Sequence, residues 1–277
     1  MSSTRSSGRD EVNAWIRVRV LGSSSGMTSA TRDTMGLAVE TIGGATLVDC
    51  PGGVVHKLAR QGLRADELRR VIITHNHVDH IYGVPHLLHA LAIGSDLDRL
   101  TICAPEQTLA TVRAMVTAHD LWGPRYAELD LQSIEMVEDT IVAENAGLRI
   151  SASPAAHGRD TVAVRFQVGD LAVCHSSDTR PSEAVQTLAR DAAILLHDCG
   201  GLHRDRSEFD HSHSSALEAG QIAGAAGVGR LVLTHLNVDV DQHAEELIAE
   251  AGDAFAGEIV LAYDEDVYQV PGGSGPT

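Results

Sequence analysis

Residues 71–88 read VIITHNHVDHIYGVPHLL, and the reading of this stretch sets the frame for the rest of the chain. Val71 to Thr74 is a short β-branched run of the kind that forms a buried strand. It passes directly into His75, His77, Asp79 and His80, then meets Gly83 and Pro85, the punctuation expected where a loop opens into a helix. Three imidazoles and a carboxylate are poor core filling, and they are the usual ligands of Zn²⁺. Alternation along an extended segment sends His75 and His77 to one side, leaving Asp79 and His80 to face a second ion nearby. The segment predicts a metal site at the end of a strand.

Composition sets the outer bounds. The chain has 277 residues, 43% of them hydrophobic, which suits a packed soluble fold. Its formal net charge of −17 argues against a broad basic surface for nucleic acid, and an aromatic content of 3% leaves few platforms for stacking bases. Bound divalent ions would reverse the local field, so net charge does not by itself identify the substrate. Cys50, Cys103, Cys174 and Cys199 are scattered, with no C-x-x-C pair, as expected of reduced thiols in a cytoplasm. The first residues lack the apolar core of a signal peptide, and no apolar run is long enough to span a bilayer, so a cytoplasmic protein with no membrane partner is expected.

Residues 1–13 are expected to be a disordered N-terminal segment, residues 14–270 a single catalytic domain and residues 271–277 a flexible tail. Strand-like runs recur at Trp15–Leu21, Leu37–Ile42, Ala45–Asp49, Val71–Thr74, Leu100–Cys103, Thr161–Val168, Leu171–Cys174, Ala193–Leu196, Leu231–Thr234 and Ile259–Ala262. Helical patterns cover Val54–Gln61, Val84–Ile93, Glu106–Ala118, Ser182–Arg190, Ser214–Ala226 and Asp241–Ala254. Early strands follow one another at hairpin spacing and later ones alternate with helices. The fold class is therefore α/β, and two packed mixed sheets flanked by helices explain the pattern better than one doubly wound sheet.

THNHVDH resembles the T-H-x-H-x-D-H signature of the metallo-β-lactamase-fold hydrolases, which implies an αββα sandwich with metals at one edge. Further ligand candidates stand where strands give way to loops: His157 in SPAAHGRDTVAVRF, Asp178 in CHSSDTRP and His235 in LVLTHL. Carried across, the resemblance implies that His75, His77 and His157 hold one metal, that Asp79, His80 and His235 hold the other, and that Asp178 bridges them. It implies two divalent ions, Zn²⁺ first, with Mn²⁺ or Fe²⁺ as alternatives. Within the superfamily, LGSSSGMTSATRD, ATLVDC and HSHSSALEAGQIAGAAGVGRLVLTHL resemble the ribonuclease Z-like group, for which a homodimer is expected.

Two departures from that group stand out. Its tRNA-clasping arm lies between the third motif's His and the bridging Asp, whereas His157 and Asp178 are only 21 positions apart. ILLHDCGG also carries Asp198 where the group commonly has Glu. The resemblance implies a proton relay of Asp198 with His213, His211 being a competitor; the plain alternative is that DHSHSS is a helix entrance capped by Ser212 or Ser214. The reading is a dinuclear metal-dependent hydrolase, a phosphodiesterase using a metal-bridging hydroxide, with Asp79, His213 and Asp198 as catalytic residues. A small or nucleotide-like substrate is expected and precursor tRNA is not; a lactone, ester or thioester hydrolase is the alternative. Loops between His89 and Tyr126, including Trp122–Tyr126, are candidates for shaping the pocket.

Overall fold

The structure, a computed structural model, describes residues 14–95, 97–145, 147–207, 212–238 and 240–271. The expectations for residues 1–13 and 272–277 lie outside these, as does His211; Pro271, placed in the expected tail, closes the last strand.

The first half begins as an antiparallel meander of β1 (Trp15–Gly22), β2 (Gly36–Thr41) and β3 (Gly44–Val48). Along β1, half-buried residues alternate with the buried Ile16, Val18 and Val20, the period-two pattern of a strand with one face on a core. After α1 (Val54–Arg60) the chain enters β4 (Leu68–Ile72), then the single turn α2 (Val78–Ile81), α3 (Val84–Gly94), β5 (Arg99–Ala104), α4 (Glu106–Ala118) and β6 (Glu128–Ser133). From β3 to β6 the pairing is parallel, as helical crossovers require.

The second half repeats the plan. β7 (Thr140–Asn145), β8 (Leu148–Pro154), β9 (Val162–Val168) and β10 (Leu171–His175) form an antiparallel meander. Then α5 (Glu183–Leu188), β11 (Ile194–Asp198), α6 (Ala216–Ala226), β12 (Arg230–Thr234), α7 (Ala244–Gly252) and β13 (Glu258–Leu261) follow with parallel pairing. β14 (Val267–Pro271) crosses back to pair antiparallel with β1. The result is two seven-stranded mixed sheets, ordered β14-β1-β2-β3-β4-β5-β6 and β13-β12-β11-β10-β9-β8-β7.

Three apolar layers hold these elements. Ile16, Val18, Leu37, Ile72, Val164, Phe166 and Leu196 lie between the sheets. Leu47, Leu58, Val71, Leu87 and Val112 join the first sheet to α1, α3 and α4. Leu195, Leu231, Ala219, Ala223 and Leu247 join the second to α6 and α7. Each Val, Leu, Ile or Phe among them contributes roughly 1.5–3 kcal/mol when fully buried, so the layers fix the strand ends that carry polar groups. This is the αββα sandwich read from the sequence. β6, β7, β8 and β14 were not expected. At the entrance to α6 the cap is Ser215, whose Oγ accepts the Glu218 N–H while the Glu218 carboxylate accepts the Ser215 N–H at 2.8 Å. Ser214 instead donates its hydroxyl to the Thr179 carbonyl at 2.7 Å.

No helix among the described residues is long and apolar enough to cross a membrane.

Candidate metal centre

The polar residues singled out above gather at the carboxyl ends of parallel strands from both sheets, the edge where open α/β sheets generally present their ligands. His75 follows β4, Asp178 follows β10, Asp198 ends β11 and His235 follows β12; His157 comes from the turn between β8 and β9. Ser177 and His235, at two of these exits, and Asp49, at the exit of β3, have φ of 55°, 56° and 60°. Non-glycine residues in the left-handed region carry local strain, and such strain persists where the surrounding structure holds it in place.

Asp178 is the centre of the arrangement. Its buried Oδ2 lies 3.5 Å from His75 Nε2, 3.4 Å from His80 Nε2, 3.3 Å from His235 Nε2 and 3.9 Å from His157 Nε2. His77 Nδ1 is 2.9 Å from His75 Nε2 and 3.1 Å from His157 Nε2. On the other side, Asp79 Oδ2 is 3.3 Å from His80 Nε2 and 3.7 Å from His235 Nε2. Two donor groups result, His75, His77, His157 and Asp178, and Asp79, His80 and His235. His213 also stands within ligating reach of Asp178 and His235, which the sequence did not indicate.

These donors fit divalent cations. Around an ion with ligand bonds of about 2.0–2.1 Å, donors stand roughly 3.3 Å apart, the spacing found here. His80 Nε2, His235 Nε2 and Asp178 Oδ1 are buried with no hydrogen-bond partner among the described residues, a costly state for polar atoms that a cation would relieve. The outer nitrogens are already committed. His80 Nδ1 donates to Asp49 Oδ2 at 2.7 Å, and His157 Nδ1 donates to the Ser212 carbonyl at 3.2 Å. Thr74 Oγ, a donor to Asp49 at 3.0 Å, lies 3.1 Å from His75 Nδ1. A nitrogen that donates outward leaves the Nε2 lone pair facing inward, the arrangement of metal-binding histidines. Asp49, absent from the expected site, is thus the residue that orients His80 and Thr74.

The electrostatics point the same way. Burial pushes the Asp178 carboxyl up, but His235, His80 and His75 together hold it well below the usual carboxylate range. Asp79 is likewise drawn down against burial by His235 and His80. Burial disfavours charge on His80 and His235, yet Asp178 and Asp49 raise His80 well above its ordinary value, while Asp178, Asp198 and Asp79 push His235 up to about 10. His75 is held well below by burial and by His80. Positive charge is therefore favoured among Asp79, His80 and His235, where a metal ion would displace protons.

Beyond the ligands, Asp198 Oδ2 accepts from His213 Nδ1 at 3.0 Å, and its Oδ1 lies 3.3 Å from His235 Nδ1. The pairing of Asp198 with His213 survives the shorter side chain. Of the segments between His89 and Tyr126, Gln107 reaches the cleft beside His77 and His157. Trp122–Tyr126 instead lines a separate cavity of about 620 Å³ with Leu91, Ser95 and Asp98, at the amino ends of β5 and β6 and so at the opposite edge.

Residues 45–236 match the family model of a beta-lactamase superfamily domain. Ribonuclease Z of Bradyrhizobium diazoefficiens is 28% identical, the alignment covering 87% of this chain and 96% of that protein. Ribonuclease Z of a Mycobacterium sp. (strain KMS) is 30% identical, covering 90% and 94%. The chain belongs to the β-lactamase superfamily, within its ribonuclease Z-like group. The metallo-beta-lactamase fold protein YhfI of Bacillus subtilis superposes with a TM-score of 0.79 at 25% identity, covering 92% of this chain and all of that one. The chain is accordingly a metallo-β-lactamase-fold hydrolase, and the fold implies use of divalent metal. One expectation is overturned. Precursor tRNA was set aside on the short His157–Asp178 interval and the acidic charge, but relatives named Ribonuclease Z align with most of the chain. The missing arm leaves the catalytic edge intact, and whole-chain charge does not describe the field over a site that accepts cations.

Proposed function

We propose that the chain hydrolyses phosphodiesters of the nucleotide class, with His75, His77 and His157 holding one divalent ion, Asp79, His80 and His235 holding a second, and Asp178 shared between them. The observation that carries this reading is the convergence of both donor groups on one Asp178 oxygen, 3.3–3.9 Å from four histidines. A mixed nitrogen and oxygen set suits Zn²⁺, with Mn²⁺ or Fe²⁺ as alternatives. When bound, such a pair acidifies water and offsets charge on phosphoryl oxygens.

The chain's own side chains supply the remaining parts. Asp79, about one-sixth exposed, combines metal binding with a carboxylate oxygen free to accept from the attacking water and so to orient it. The Asp198 carboxylate accepts the hydrogen bond of His213 Nδ1–H and stabilises the imidazolium, whose Nε2–H is left to protonate the departing oxygen. The names of the relatives extend the substrates to be tested from dinucleotides to RNA. Resemblance to the group adds a homodimer, which sedimentation velocity checks.

The deciding experiment is a panel assayed with metal-loaded enzyme: a chromogenic diester, a dinucleotide, a precursor tRNA transcript, phosphate monoesters, lactones and thioesters. Diesters are expected to turn over, with His213→Ala lowering kcat by about 10²–10⁴-fold at unchanged metal content. Clear lactone hydrolysis with no activity on any diester overturns the reading.

A further inference from the structure

A cleft of about 560 Å³ opens beside His77 and His157, and its wall is completed by Gln107, Gly158, Arg159, Asp160 and Ser212. The scheme above makes no use of it. Arg159 is the single cationic residue of this lining, and it is exposed. Its Nη1 donates to Asn76 Oδ1 at 3.3 Å, and Asn76 Nδ2 donates onward to Thr111 Oγ of α4 at 3.3 Å. Asn76 sits between His75 and His77, so the guanidinium is tied to the loop that carries two candidate ligands.

Among the described residues, one of its five guanidinium donors is committed, to Asn76. Asp160 is the one acid in the lining, yet Arg159 forms no ion pair among the described residues. In a chain of net charge −17 with carboxylates in excess, an exposed arginine with no ion pair among the described residues at the mouth of the site is poised for an external anion. A guanidinium fork matches two oxygens of a phosphate, and the Gln107 amide in the same wall adds donors.

We infer that Arg159 binds a second, non-scissile phosphate, so that the preferred substrates are chains with at least two phosphates over lone diesters. This rests on the phosphodiesterase reading. Two probes separate the cases: the p-nitrophenyl ester of thymidine 5′-phosphate, and the same ester extended by one nucleotide and hence one phosphate. Arg159→Ala is expected to raise KM for the extended ester about ten-fold, leave kcat unchanged and leave the short ester unaffected, with Arg159→Lys recovering part of the loss. In parallel, anisotropy of a fluorescein-labelled phosphorothioate hexanucleotide is expected to show binding about ten-fold weaker in Arg159→Ala, with a log–log salt slope shallower by about 0.7.

Equal effects on both esters, or none on either, overturn the inference. If the wild type hydrolyses neither ester while hexanucleotide binding still depends on Arg159, the phosphate site stands and the phosphodiesterase reading fails. Binding indifferent to Arg159 removes the site.

Discussion

At the scale of single residues, Asp198 does the most with the least. Buried at the end of β11, it accepts from the Thr179 N–H at 2.9 Å and from His213 Nδ1 at 3.0 Å, and it lies beside His235 Nδ1. Burial lowers His213, but Asp198 more than compensates and holds it above its ordinary value, so the imidazolium persists to higher pH. Removing that charge moves the group back down. Asp198→Asn is therefore expected to shift the alkaline limb of the kcat profile to lower pH and to reduce kcat by about 10–100-fold; an unmoved alkaline limb would show that His213 is not the proton donor. Asp79→Ala is expected to abolish turnover while changing the urea midpoint little, and a soluble, fully active variant would defeat its role. At this scale the ligands were legible because His75, His77, Asp79 and His80 state their chemistry within six positions. Asp49 was not, since its partners Thr74 and His80 are 25 and 31 positions away and meet it only through the pairing of β3 with β4.

At the scale of elements, hydrophobic pattern marked the strands whose buried positions are apolar and passed over those that are polar or weakly buried, including β8, LRISASP, where Ser151 and Ser153 fill buried positions. β6, ELDLQS, and β7, TIVAEN, lie at sheet edges with no fully buried residue, so neither shows the apolar run of β9 or β11. β14, VYQVP, alternates properly but is short and ends in Pro. The turn leading into α3 was legible from Gly83, for a reason only the packing gives: a Cβ there would stand 2.1 Å from the Pro51 carbonyl oxygen, while the Gly83 N–H donates to Cys50 O at 2.9 Å. Backbone cannot yield cheaply. Gly83→Ala is expected to destabilise the fold by roughly 1–3 kcal/mol in urea titration, and to weaken zinc binding because α2, which carries His80, must shift with it. Gly26 also lies against Asp79, a Cβ there meeting its Oδ2 at the ordinary contact distance of 3.4 Å, so the loop after β1 forms one wall beside the second donor group.

Across the whole molecule, the four cysteines are buried and free. Burial raises every thiol above its ordinary 9.0, Cys103 to about 11 and Cys174 to about 12, with Cys50 and Cys199 higher still. The unfolded chain releases these protons first, so their contribution is intact below about pH 9 and is lost as pH climbs from there through the folded values, each thiol costing about 1.4 kcal/mol per pH unit. Urea midpoints are expected to hold between pH 7 and 8.5 and to fall by pH 10, with no native-state reaction of any thiol with a disulfide reagent at pH 7.5. Metal at a hundred times its Kd is expected to add about 2.7 kcal/mol, seen as a Tm raised by zinc and restored by chelator. The repeated half-fold has one more consequence. Residues 134–139 join β6 to β7, and neither side of that joint owns a working set: His75, His77, Asp79 and His80 lie before it, His157, Asp178 and His235 after it. Severed there and produced as two pieces, the protein would behave as a coincidence detector, silent in either fragment and switched on only when both find each other around the ions.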